Sequence, residues 1–224
     1  LVFLDEADKF GKTDASQELR LVVQQQLDDL QGVTRLRLQS TIPTGLDRRM
    51  KISRMVVNAN EDIYALDQET GRVLRLLATR PEYEVDTSFM CGPGKYESVI
   101  VHELVDIELI SYSNSLNATL MGIDRAGNLL LCSPAKSPVA ISLKVPELGW
   151  GHIQAIAFNG YSLYLLDVDE RTRDLYRLPA EGLTFSSNPE SIFNGNIPTD
   201  LAKTTDMAIY EDNLFVLSQA GTLM

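Results

Sequence analysis

The sequence predicts a mainly β chain of repeated antiparallel hairpins, entered through an α-helical hairpin. Three observations carry this expectation. From about residue 50 onward the chain breaks into short β-branched, aliphatic and aromatic runs punctuated by turn formers. Four of these runs can be laid over one another as a repeat. Before them, residues 14–32 place apolar side chains at helical spacing.

The first element is expected over residues 1–11, where Phe3, Leu4, Ala7 and Phe10 share one helical face and Gly11 is a stop. Asp5, Glu6 and Asp8 then form its solvated face. A second helix follows, with Asp14 as N-cap and Gln17 three residues on. Leu19, Val22, Val23, Leu27 and Leu30 supply its apolar face and Gly32 closes it. The boundary falls there: residues 1–32 are a helical hairpin or linker, and residues 33–224 the β domain.

The repeat is read from Ile52, Val105, Ile153 and Thr205, each segment being strand, polar turn, strand, tight turn, strand. The second strands are Ile63–Leu66, Leu120–Ile123, Leu163–Leu166 and Leu214–Leu217. Each runs into a polar residue, Asp67, Asp124, Asp167 or Ser218, whose side chain can cap the turn backbone. Gly71, Gly127 and Gly221 supply the left-handed conformation a hairpin needs.

With that repeat in place, residues 50–224 resemble β-propeller repeats of the broad YVTN/NHL/WD40-like kind, with at least four blade motifs. The helices before them resemble a tetratricopeptide-type hairpin. Together they are similar to the divergent propellers appended to bacterial membrane-linked signalling or surface proteins. The WD40 Gly-His…Trp-Asp pair is missing, and the last repeat is incomplete, stopping at Met224 inside its third strand. The expectation is therefore further blades beyond Met224 or an open circle. The absence of a start Met at Leu1 leads us to expect sequence upstream as well.

Composition narrows the function classes. A net charge of −11 argues against nucleic-acid binding, which rests on Lys and Arg neutralising phosphates. The basic stretch of residues 33–54, with Arg35, Arg37, Arg48, Arg49, Lys51 and Arg54 against Asp47, is expected to pair with the acidic remainder. No apolar run is long enough to span a membrane, so a membrane would be reached only through a segment outside this chain. Cys91 and Cys132 are too few for a disulfide scaffold, and with two histidines they cannot assemble a Cys/His zinc set. By composition alone they fit two buried thiols as well as one bridge. The appended-propeller resemblance implies export, hence an extracytoplasmic module whose membrane anchor would lie in sequence upstream of this chain. In that compartment Cys91 and Cys132 would bridge, closing about 40 residues for on the order of 3–4 kcal/mol.

The opening LVFLDEADKFGKTD spells an ATPase-like Asp-Glu pair. No phosphate loop accompanies it: Gly11-Lys12-Thr13 has Glu6 where the first Gly belongs, and Gly94-Lys95-Tyr96 has Phe89 there. The antiparallel hairpins that follow exclude the alternating βα core such an enzyme needs.

Binding is expected on the face shared by the long connections, residues 79–104, 133–152 and 180–204, and the tight turns. Tyr83, Tyr96, His102, Trp150 and His152 are the candidates. Trp150, between Gly149 and Gly151, is read as a plug at a blade junction in preference to a stacking platform. Asp167, Asp169, Glu170 and Asp174 crowd one turn with oxygen ligands of the kind calcium takes, though without the glycine and final glutamate of an EF-hand loop. No nucleophile–base set is spelled. The reading is a non-catalytic propeller module, without cofactor, acting in protein interaction, ligand sensing or surface assembly. The alternative is a metal-dependent propeller lyase or hydrolase using His102 and His152.

Overall fold

In the computed structural model, which describes residues 2–35, 40–43, 45–211 and 213–224, the polypeptide divides into a helical unit, Leu1–Ser40, and a β unit, Thr41–Met224. The expected Arg37 lies outside the described residues.

In the helical unit, α1 spans Val2–Asp8 and α2 Asp14–Gln31. The N-cap of α2 is Thr13, one residue before the expected Asp14. Its hydroxyl accepts the Ser16 N–H and the Ser16 hydroxyl accepts the Thr13 N–H, both at 3.1 Å. A capping box built on Ser16 satisfies two orphan donors, which Asp14 with Gln17 does not. Gly32 ends the helix in the left-handed conformation, φ 65°.

The expected apolar face of residues 1–11 is not buried. Phe3 and Phe10 are 90% and 92% exposed, and no described residue of α1 is buried. Arg20 of α2 joins the helices instead, with Nη1 2.8 Å from Asp5 and Nη2 2.9 Å from Asp8. Asp5 and Asp8 are thus ion-pair partners and not a merely solvated face. The one buried residue of α2 is Asp28, held by Gln24 and Arg35.

Among the described residues the β unit has five antiparallel sheets, four of them successive blades. Blade 1 is β1 (Ile52–Val57), β2 (Ile63–Asp67), β3 (Arg72–Ala78) and β4 (Tyr83–Val85), in that spatial order. A small hairpin, β5 (Gly94–Tyr96) and β6 (Val99–Val101), sits in the connection that follows. Blade 2 is β7 (Leu104–Leu109), β8 (Leu120–Asp124), β9 (Asn128–Cys132) and β10 (Val139–Ser142). Blade 3 is β11 (Ile153–Phe158), β12 (Ser162–Asp167), β13 (Asp174–Pro179) and β14 (Glu190–Ser191). Blade 4 is β15 (Thr204–Tyr210) with β16 (Asn213–Ser218).

Inner strands of successive blades pack side by side, β1 on β7, β7 on β11 and β11 on β15. Three apolar cores lie between the blades, and the two-residue period of the strands fills them. Along β9, Leu129 and Leu131 face blade 3, meeting Ile153, Ile156 and Leu165. Leu130 and Cys132 alternate to the other side and meet Tyr64 and Leu66 of blade 1. Ala155, Leu166 and Leu175 of blade 3 meet Met207 and Val216 of blade 4. A strand buried on both faces needs an unbroken apolar run, which is what Leu129-Leu130-Leu131 supplies. Cys132 is disulfide-bonded to Cys91 of the connection, Cα–Cα 5.6 Å, inside the core between blades 1 and 2.

Candidate functional site

Each blade is pinned at one end by the polar residue that closes its second strand. Asp67 accepts the Lys51 and Glu69 N–H groups and the Thr70 hydroxyl. Asp124 accepts N–H groups of His102, Ala126 and Asn128, and Asp167 those of Gly151, His152 and Asp169 with the Thr172 hydroxyl. The carboxylate therefore ties the tight turn to the backbone just before the inner strand of the same blade. In blade 4 Ser218, with one hydroxyl, accepts the Thr222 N–H and no other N–H among the described residues. Gly71, Gly127 and Gly221 sit in these turns at φ 61°, 83° and 78°.

Every inner strand carries a β-bulge at the same place: between Ile52 and Arg54, Leu104 and Asp106, Ile153 and Ala155, Thr204 and Asp206. The second and fourth repeats thus start one residue earlier than Val105 and Thr205, which are themselves the extra, bulged residues. A bulge kinks its strand and re-aims a side chain. Here the bulged Ser53, Val105, Gln154 and Thr205 line a common cavity of about 310 Å³. Three of them, Ser53, Val105 and Gln154, also line a second cavity of about 530 Å³ at the turn end of the strands. It is completed by Gln68, His102, Glu103 and Arg125.

Correct register also aligns Arg54, Asp106, Ala155 and Asp206 around the inner cavity. Arg54 Nε lies 3.2 Å from Asp106 Oδ1, and its Nη1 pairs with Asp206. Asp106 Oδ2 accepts the Ile156 N–H of blade 3 at 2.8 Å. One carboxylate–guanidinium node thereby touches all four blades. Burial pushes the Asp106 carboxyl up to about 6, against the pull of Arg54 and two N–H groups. Glu108, two residues along β7, is pushed to about 7 by burial and then by the charge of Asp106.

Of the sequence-predicted binding residues, the structure brings only His102 to the outer cavity. Trp150 is packed: its ring meets Tyr176 edge-on at 5.2 Å, and a Cβ on Gly127 would stand 2.4 Å from its indole. It fills the junction of blades 2 and 3. Tyr83 lies on the outer strand β4, its N–H on the Thr41 carbonyl. Tyr96 is in the small hairpin, its hydroxyl donating to the Gly92 carbonyl at 2.7 Å. His152 is partly buried, and its pKa is lowered by burial and then by Arg125.

The calcium candidates do not converge. Asp167 is saturated by its four donors, Asp169 accepts the Arg171 N–H, and Asp174 accepts the Leu175 N–H. Among the described residues no three His, Cys, Asp or Glu side chains form a metal-binding group. Sequence reasoning missed Ser53, Gln68, Arg125 and Gln154. Only their repeat positions, bulge and turn, could have signalled them.

No protein-family model matches the chain, and no curated protein matches it. Among solved structures it is similar to a streptogramin B lyase, with 13% identity, TM-score 0.50, and 80% of this chain and 55% of that chain covered. It is also similar to YCF48 from Cyanidioschyzon merolae, with 14% identity, TM-score 0.50, and 84% and 54% covered. At such identity the likeness shows the fold, a β-propeller type. The chain spans about half the length of these two proteins.

Proposed function

We propose that the β unit is a non-catalytic β-propeller module that binds a small polar ligand in the cleft at the turn end of its inner strands. The observation that carries this reading is the bulge repeated in four successive blades. It turns Ser53, Val105 and Gln154 into a cleft whose mouth holds Gln68, His102 and Arg125. These groups suit recognition by hydrogen bonds and charge, and no side chain among them is a serine or cysteine nucleophile joined to a base. The Cys91–Cys132 disulfide supports an extracytoplasmic setting, where such bonds persist. That agrees with the resemblance to propellers appended to bacterial membrane-linked signalling or surface proteins. No helix among the described residues is long and apolar enough to cross a membrane.

A metal at His102 and His152 is disfavoured by the same geometry, because Arg125 is close enough to depress His152 and would repel a divalent ion. The test uses Trp150, the one tryptophan in the chain, which sits on the turn that carries Arg125. Titration with a panel of monosaccharides, amino acids and short peptides should shift its emission for at least one compound, and that compound should be recovered unchanged. Turnover that disappears in a His102→Ala/His152→Ala variant overturns the reading in favour of an enzyme.

A further inference from the structure

From the charges in this cleft we infer that its ligand carries an oxyanion, a carboxylate or phosphate, on a hydroxylated body. The inference rests on the proposed ligand-binding role of the cleft. Arg125 follows the turn aspartate Asp124, whose oxygens are engaged by His102, Ala126 and Asn128 and are not offered to the guanidinium. Arg125 makes no ion pair among the described residues. Eight other arginines do, Arg20, Arg35, Arg49, Arg54, Arg75, Arg80, Arg171 and Arg177, and of the described arginines that do not, Arg48, Arg72, Arg125 and Arg173, Arg125 alone lines the cleft. In a chain of net charge −11, an exposed guanidinium that lines a cleft and has no carboxylate partner there is an open fork for a planar or tetrahedral oxyanion.

A second observation concerns the position just before each inner strand, whose backbone meets the turn. Lys51, Glu103, His152 and Lys203 occupy it in the four blades, so three blades place a basic side chain there, and in blade 2 the basic residue, His102, stands one position further out. Lys51 is engaged by Glu69, and the His152 pKa is lowered by burial and then by Arg125. Beside His102 and Glu103, the other polar side chains lining the cleft with Arg125 are neutral donors and acceptors: the Gln68 and Gln154 amides and the Ser53 hydroxyl. Such groups satisfy hydroxyls or carbonyls next to an anion. Glu103 is the one carboxylate lining the cleft. It lies beyond ion-pair distance of Arg125 and opposes a second negative charge on the ligand.

The experiment compares D-glucuronate, D-glucose 6-phosphate and D-glucose, which share a ring and differ at one substituent, by Trp150 emission and by calorimetry on the full chain. One or both anions should bind about tenfold or more tightly than glucose, the value of a charge-assisted hydrogen bond in a cleft. Which anion leads separates a carboxylate source from a phosphate source. Arg125→Gln should abolish the preference, Glu103→Gln should strengthen it, and Arg72→Gln, an exposed arginine outside the cleft, should leave it unchanged. Equal binding of all three sugars at a site lost in Gln154→Ala overturns the oxyanion inference while leaving a polar ligand site. A preference that survives Arg125→Gln overturns it too. Failure of these three and of the whole panel to bind overturns the ligand-binding reading itself.

Discussion

The helical unit and the β unit both show clean hydrophobic periodicity in the sequence, yet only one of them turns it into a core. In blades 2 and 3 the periodic residues are fully enclosed: Leu129, Ile153, Ile156, Leu163 and Leu165 are all 0% exposed. In the helical unit the periodic residues Phe3, Phe10, Leu19 and Leu30 stand in solvent. Leu4, Val23 and Leu27 are only half-buried, and ion pairs link the unit, Arg20 with Asp5 and Asp8, and Arg35 with Asp28. A repeat supplies its own partner for each apolar face, because the next blade carries the same pattern in the same register. A lone helix pair has no such guarantee. Period reports secondary structure, whereas burial depends on what the element meets.

The sharpest way to break the comparison is to truncate one side chain in each unit. Leu165→Ala, in the core between blades 2 and 3, is expected to cost about 3 kcal/mol or more, combining lost transfer energy with the cavity left behind. Urea denaturation monitored at Trp150 reads it. A loss below about 1 kcal/mol would mean that the blades are far less tightly packed than the structure has them.

Next in size is a difference within the β unit. Asp167 holds four donors and Ser218, in the corresponding place of blade 4, holds one. Asp167→Ala leaves several of those donors without an acceptor and should cost about 2–3 kcal/mol, whereas Ser218→Ala should cost about 1 kcal/mol or less. Equal losses in a denaturation series would show that the turn carboxylates are ornaments of the repeat and not its pins.

These pins were legible in the sequence, since Asp67, Asp124, Asp167 and Ser218 recur at matched strand ends and the chemistry of an Asp beside a tight turn is specific. The four second strands were legible for the same reason. The bulges were not. One extra residue in each inner strand leaves apolar alternation nearly intact while shifting which side chains share a layer. Superposing the repeats on Val105 and Thr205 therefore hid the alignment of Arg54 with Asp106 and Asp206, and with it the cleft. Aromatic and histidine side chains carry distinctive chemistry wherever they stand. The cleft is instead lined by common polar residues whose role comes from position alone.

A smaller effect concerns the carboxylates of β7. Folding raises Glu108 to about 7 and Asp106 to about 6, so the folded chain holds protons that the unfolded chain has released. Stability should therefore fall as pH rises from the ordinary carboxylate range near about 4 to about 7, because the unfolded state binds fewer protons over that window. Glu108→Gln removes its share of the slope and should raise the melting temperature above about pH 7. Melting curves across the window test this. A wild-type profile that rises through it would show that Glu108 and Asp106 are ionised in the fold.

The smallest effect belongs to the helical unit and completes the comparison from its other side. Phe10 follows α1 and is 92% exposed, so Phe10→Ala removes almost no buried area and should change the unfolding free energy by less than about 0.5 kcal/mol. Arg20→Gln, which removes the two ion pairs joining α1 to α2, should also stay within about 1 kcal/mol for the β-unit transition, since exposed pairs contribute little. Its effect should appear instead as lost helical signal in far-UV circular dichroism, because those pairs are what holds the seven-residue α1 against α2. If Phe10→Ala costs as much as Leu165→Ala, the aromatic face of residues 1–11 has a partner in solution, and the contrast between the two units disappears.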